Sequence, residues 1–502
     1  MTSCHTVAII GGGASGLLTA IQLLKLSGRE GPRIFLIEKS AAFASGAAYT
    51  TDEPSHLLNV RAGNMSAFPD MPNHFMDWLR NGPAGSAAGA SSFVSRNTYG
   101  CYLQSILRDA VTCAHAAGRF YIVPDEAVSI TAQTNGTGGY VVRLELGKDI
   151  PADCAVLALG NAPPHPPGIA ETSVLKTGHY FGDPWSCDME SLSQDKGPVL
   201  LLGTGLTMAD AVLALTDRGY KGSIIALSRR GLLPRRHAPA PLKPAPPPAL
   251  EANIVLALRS VRRAVREHAA GGGDWRAVID ALRPSTVSYW RALPVAEQRR
   301  FLRHLRPWWD VHRHRMAPEA AARLEALIEE GRLRLVRGRL KRLELSEEPE
   351  HPIRAIWRRA RSGTDDAVLV SKIVNCMGPG QDLTGAQSPL VRQMLACGSI
   401  TPDCHSLGLA TDDTGRVQDR AGRANPRIFA IGPITRGTFW EVTAIPDIRV
   451  RAVGTALAIL QSLEQMGAPV HATGLAAGMN LIPAVEGTQI PHGTVPAKAH
   501  TR

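Results

Sequence analysis

Two apolar strands each break into a Gly-x-Gly turn and continue as a helix, and together they predict an α/β chain. The expected architecture is a pair of Rossmann-like dinucleotide-binding domains. Three observations carry this: the stretch Thr6 to Glu38, its partial copy from Pro198 to Arg230, and two later strands that run out into Gly160-Asn161 and Asn375-Cys-Met-Gly378 beside prolines. The first domain is expected to be discontinuous, residues 1–195 plus 373–465. The second, 196–372, carries a helical insertion at about 250–331, and 466–502 reads as a disordered tail.

Val7 to Ile10 is a short apolar run of the kind found in buried parallel strands. Gly11, Gly13 and Gly16 then fit G-x-G-x-x-G. The first makes the tight turn, the second lets the backbone approach a pyrophosphate, and the third lets helix and strand pack closely. Ala14 and Ser15 lie at the helix start, where free amides face phosphate. Arg33 to Ile37 is a second strand, and Glu38 at its end is placed to bind the hydroxyls of an adenosine ribose, with Lys39 beside it.

Downstream, Gly46 to Ser66 is irregular. Asn59, Asn64 and Ser66 are polar candidates for the far end of a cofactor and Met65 for its ring; an ordinary packed loop is the alternative. Helices are expected from Pro72 and from Arg96 to Arg108. Arg96 is a candidate for phosphate or substrate. A β-meander follows, Phe120–Val123, Val128–Ile130 and Tyr140–Leu146, with Asn135-Gly136 and Gly138-Gly139 as turns. The strand from Cys154 ends in Gly160 and Asn161, where the backbone would pass the cofactor before a proline hinge.

In the second unit Gly203 and Gly205 open the turn, Leu206 and Thr207 start the helix, and Met208 stands where a third glycine would be. Helix and strand must therefore sit farther apart. Its second strand ends in Ser228, Arg229 and Arg230 instead of an acid. Arginines there suit a ribose 2′-phosphate, which points to NADPH. Pro234 to Pro248 is a proline-rich excursion, and the dense cluster Arg299 to Arg315 reads as a solvated or domain-facing basic surface. Gly378 marks the return to the first domain. Gly432 ends the last strand, Pro446 opens the last helix, and Asp447 serves the cofactor or its own helix.

Bulk properties exclude several classes. The chain has 502 residues, 44% hydrophobic and 20% charged, as in globular proteins. No apolar run approaches the roughly 18–20 residues of a membrane span, and the first strand leaves no room for a signal peptide. The eight cysteines show no Cys-x-x-Cys spacing, which fits a reducing cytoplasm and argues against redox-disulfide flavoenzymes. The net charge of +11 is spread over helices without a groove-reading motif, so phosphate-bearing cofactors, not nucleic acid, are expected. His312 and His314 fall on different helix faces, so no metal is expected.

Gly46-Ala-Ala-Tyr49, Leu58-Asn-Val60, Gly203-Thr-Gly-Leu-Thr207, Ser228-Arg-Arg-Gly231, His312-Arg-His-Arg315, Trp440-Glu441 and Pro446-Asp-Ile-Arg449 together resemble a bacterial family of two-domain FAD/NAD(P)-binding flavoproteins. The resemblance spans about residues 5 to 460 and extends, distantly, to amine-N-hydroxylating and Baeyer–Villiger-type flavin monooxygenases. It implies FAD in the first domain and NADPH in the second. The expected activity is an FAD-dependent, NADPH-using oxidoreductase, a monooxygenase hydroxylating a small polar molecule. The alternatives are a flavin reductase or dehydrogenase without oxygen insertion, or a nucleotide-sensing binding protein. Oxygen chemistry on a flavin needs no side-chain nucleophile, so the catalytic residues are left open. The expected partner is a small-molecule substrate, and nothing in the sequence sets the oligomeric state.

Overall fold

The computed structural model describes residues 5–40, 42–82, 88–113, 118–133, 139–380, 383 and 388–466. The turn at Asn135-Gly136 and the tail beyond Met466 lie outside the described residues. Strands β1 (Thr6–Ile10) and β2 (Arg33–Ile37) flank the helix Ala14–Ser27, and β3 (Phe120–Val123) adds beside β2. β4 (Ala127–Ala132), β5 (Tyr140–Leu144) and β6 (Asp149–Ala152) form a separate antiparallel sheet, after which β7 (Cys154–Leu157) returns beside β1. The chain then crosses over. β8 (Tyr180–Phe181), β9 (Val199–Leu202) and β10 (Ile224–Ser228) begin the second sheet. β11 (Leu333–Leu345), β12 (Ile353–Arg359), β13 (Asp365–Val370) and β14 (Lys372–Asn375) complete it. β15 (Arg416–Gln418) and β16 (Ala424–Ala430) then rejoin the first.

The first sheet has the order β15-β16-β7-β1-β2-β3, parallel except for β15. The second has the order β13-β12-β11-β10-β9-β14-β8, antiparallel only at β12 and β13. Successive strand residues point to opposite faces. Val7 and Ile9 accordingly enter the core shared with the helices Ala14–Ser27 and Ile445–Glu464, while Ala8 and Ile10 enter a second core under the three-stranded sheet. Cover on both faces explains why β1 is apolar at every position instead of alternating.

Three expectations change in detail. Phe120–Val123 is not part of a meander: Ile34 pairs in parallel with Phe120, which makes it the edge of the first sheet. The segment 368–376 is two strands, and β14 pairs with β9 and β8, so the second sheet reaches out to Tyr180 and Asn375 and the chain returns to the first sheet only beyond it. The helix Pro318–Glu329 buries Ala321, Leu324 and Leu327 against the helix Leu206–Asp217 and so bridges the parallel strands β10 and β11. The true insertion therefore ends before it. It consists of helices Ile254–Ala270, Trp275–Ala281, Arg283–Ala292, Val295–Arg300 and Arg306–Arg313.

The two units repeat one contact. Gly11 (φ +107°) and Gly203 (φ +117°) both turn left-handed, and a Cβ on either would sit 2.2 Å from the Ala158 carbonyl oxygen or 2.3 Å from that of Cys376. Gly16 completes the first copy, since its Cβ would lie 1.9 Å from the Gly11 carbonyl oxygen. In the second copy Met208 is fully buried among Val199, Leu201 and Val212 and fills space that the first copy closes. Gly16→Ala should therefore lower stability by about 1–3 kcal/mol through overpacking, and Met208→Ala by about 2–5 kcal/mol through a cavity. Denaturant melts of the two variants check both values.

Candidate functional site

The helix Ala14–Ser27 begins at Gly13 with no side-chain cap, so its first amides are left for a ligand. Two other glycines close on this point. Gly46 Cα is 3.5 Å from where a Gly13 Cβ would be, and a Cβ on Gly432 (φ +82°) would meet Ser15 Oγ at 2.4 Å. Glu38 lies beside them. Its Oε2 accepts the Gly12 amide at 2.9 Å, while Oε1 accepts the amide and hydroxyl of Ser40, each at 3.0 Å. Oε2 keeps an acceptor site for a ribose hydroxyl. Lys39 is exposed and pairs with Glu126 at 3.8 Å. A glycine-lined helix start beside a fixed carboxylate fits an adenine dinucleotide.

The other residues proposed for this site are placed unevenly. Gly160 (φ +67°) and Gly378 (φ +88°) follow β7 and β14, and a Cβ on either would meet only open space, so both border a crevice at the strand ends. Asn161 and Asn64 are exposed. Met65 is 2% exposed and packs in the first core. The Ser66 hydroxyl is fully buried and bonds within its own loop to Phe68 and Met71. The Asn59 carbonyl accepts from His237. Asp447 makes no side-chain cap to its helix. It pairs with Arg283 of the insertion at 2.7 Å, because that helix start abuts the inserted helices.

The second cradle repeats the first with a change of charge. Gly205 opens the helix Leu206–Asp217 without a side-chain cap, and Leu206 and Thr207 are half-buried in its first turn. The Ser228 hydroxyl is 2.9 Å from that of Thr204 and accepts the Gly231 amide at 2.9 Å, so it shapes the turn. Arg229 is exposed, and Arg230 holds a buried Nη1 with no hydrogen-bond partner. An orphaned buried guanidinium nitrogen beside a free helix start fits an additional phosphate.

Polar contacts hold the two cradles together, and sequence reasoning missed all of them. Arg96 of the first domain pairs with Asp210 on the second cradle's helix at 2.8 Å, both largely buried. His56 Nε2 donates to the Asp210 carbonyl at 3.1 Å, Arg218 bonds Glu53 at 2.6 Å, and His237 Nε2 donates to the Asn59 carbonyl at 3.0 Å. Burial pulls the His237 imidazole down to about 3, with Arg315 adding to the effect. On the insertion side, buried Glu441 accepts from Trp309 Nε1 and pairs with Arg313, each at 3.1 Å. Arg436 lies 4.5 Å over the Trp440 ring, and burial lowers its guanidinium to about 10. The cluster Arg299–Arg315 is thus domain-facing through Arg313.

Each of the two units is a largely parallel sheet with an uncapped, glycine-cornered helix start, a Rossmann-like arrangement. Residues 8–162 match the FAD-NAD(P)-binding family model. The chain is 34% identical over 165 residues to an L-aspartate N-monooxygenase (nitrosuccinate-forming) of Streptomyces cremeus; the match covers 32% of this chain and 24% of that relative, about a quarter of its length. The fold is shared with L-lysine 6-monooxygenase from Pseudomonas syringae (TM-score 0.64, 17% identity, 92% of this chain and 100% of that one). It is also shared with an ornithine N-hydroxylase of Kutzneria sp. 744 (TM-score 0.62, 14% identity, 91% and 99%). No helix among the described residues is long and apolar enough to cross a membrane.

Two predictions follow from this geometry. Arg229→Ala/Arg230→Ala should raise the KM for NADPH about tenfold or more, the worth of a charge-assisted contact, and leave that for NADH unchanged; steady-state kinetics with both nucleotides decide it. His237 is neutral when folded and binds a proton more readily when unfolded. Stability is therefore full above about pH 6.5 and falls as pH drops toward 3. His237→Asn should flatten part of that slope in melting temperatures recorded from pH 7.5 to 5.

Proposed function

We propose that the chain is an FAD-dependent, NADPH-using monooxygenase that hydroxylates an amino group of a small molecule. The carrying observation is the paired cradle: one glycine-lined helix start beside the carboxylate of Glu38, and a second beside an orphaned arginine, joined by the Arg96–Asp210 ion pair. Gly11, Gly13, Ser15, Gly16, Glu38 and Gly432 would hold FAD. Gly203, Gly205, Leu206, Thr207, Arg229 and Arg230 would hold NADPH, with Gly160 and Gly378 lining the crevice between. FAD, when bound, supplies the hydride-accepting and oxygen-activating chemistry. The protein binds, orients and excludes water.

The matched N-monooxygenases support nitrogen as the oxidised atom. The balanced reaction is R–NH2 + O2 + NADPH + H⁺ → R–NHOH + NADP⁺ + H2O. Among the described residues the seven cysteines are scattered and unpaired, which supports a reducing, cytoplasmic setting.

Anaerobic reduction tests the reading. The purified protein should be yellow, NADPH should bleach it without oxygen, and air should then couple NADPH oxidation to a hydroxylamine from one of L-aspartate, L-ornithine, L-lysine or a related amine. A colourless protein, or colour that NADPH leaves untouched, refutes the enzyme assignment. Coupling only to an added electron acceptor makes it a reductase.

A further inference from the structure

The inserted helices, with Arg235, Leu250 and Trp440, line a half-open cavity of about 940 Å³, near the upper end of the roughly 300–1,000 Å³ range for small-molecule pockets. Five of the chain's eight tryptophans line it: Trp275, Trp290, Trp308, Trp309 and Trp440. Several of the wall's polar groups are spent on the protein. Trp290 Nε1 donates to the Gly437 carbonyl at 2.7 Å, Trp309 Nε1 to Glu441, the Thr286 hydroxyl to the Leu282 carbonyl at 2.9 Å, and the Tyr289 hydroxyl to the Glu251 carbonyl at 2.8 Å. Apart from the indole N–H groups of Trp275 and Trp308 and the ring of His312, the lining is aliphatic and aromatic surface.

The mouth is different. Arg235, Arg262 and Arg266 line the cavity and are exposed, and among the described residues no ion pair neutralises them. Arg276, also lining, is already held by Asp274 at 2.8 Å. Among the described residues no carboxylate lines the cavity. A cation could rest on the indole faces but only beside Arg235, Arg262, Arg266 and Arg276, which repel it, and a zwitterion would have to bury its ammonium against apolar wall. An apolar body with an anionic end satisfies the interior and the mouth together.

We propose that this cavity binds a hydrophobic anion, a molecule of fatty-acyl or fused-ring size whose carboxylate, sulfonate or phosphate is held by Arg262 and Arg266. The proposal stands apart from the flavin reading, because it is measured without NADPH.

Tryptophan emission of the full chain, titrated with dodecanoate, dodecanol and dodecylammonium below their micelle concentrations, tests it. Dodecanoate should bind saturably and tightest. Arg262→Glu/Arg266→Glu should weaken dodecanoate about tenfold or more while dodecanol is unchanged; both sites are exposed, so circular dichroism should match the parent. Leu258→Trp, which narrows the cavity, should weaken both. Equal affinity for dodecanoate and dodecylammonium, absence of saturation, or an unchanged dodecanoate affinity in the double variant overturns the proposal. A response to anionic phosphatidylglycerol vesicles without one to dodecanoate also overturns it, since that would be surface docking.

Discussion

The structure depends on a single kind of contact, a glycine Cα pressed against the carbonyl of the neighbouring strand's exit. Gly11 meets Ala158 and Gly203 meets Cys376 at distances that leave no room for a side chain. Because the chain turns there with positive φ, the following helix starts over the ends of the parallel strands with its free amides aimed along the crevice. Gly16 and Gly432 extend the same constraint, each lacking a Cβ where the Gly11 carbonyl or Ser15 arrives, and Gly46 packs in ordinary contact with Gly13, so three segments distant in sequence converge on one helix start. The C-terminal helix Ile445–Glu464 packs along Ala14–Ser27 and keeps that start in place.

Identical frames with different edges give the two cradles different tastes. The first offers a carboxylate already fixed by the Gly12 amide, which suits neutral hydroxyls and repels an added phosphate. The second offers guanidinium groups, one with a buried nitrogen unpaired, which suits the phosphate. The exchange of Gly16 for Met208 goes with this asymmetry. The first helix is sealed against its strand through backbone contact, the second through an apolar side chain.

What was legible in the sequence is local. The strand–Gly-x-Gly–helix units and the return of the last strands to the first sheet rest on residues within a few positions of one another or on a repeat. The illegible part is long-range. Arg96 and Asp210 lie in different domains, and neither segment carries a pattern that announces the other. Ser228 looked like a ligand because of its place at a strand end, yet its hydroxyl closes the turn to Gly231. Asp447 looked like a cofactor contact because it opens a helix, yet Arg283 from the insertion claims it. Phe120–Val123 was read with its neighbours in sequence, whereas parallel pairing carries it to the far side of β2. The tryptophans at 275, 290, 308 and 309 were the one available signal for a cavity, since four in so short a span exceed what packing of small helices requires.

The seam between the domains adds a constraint of its own. Asp210 sits two residues past Met208, on the helix that opens the second cradle, and the first domain grips it through both side chain and carbonyl. Any change in the angle between the domains must therefore break a largely buried ion pair and strand a charge, a cost that exposed surface pairs do not impose. The contacts around it, Glu53 with Arg218 and Asn59 with His237, are polar and specific where an apolar interface would tolerate sliding. The loop 51–61 thus does more than connect. It sets the second helix start against the first.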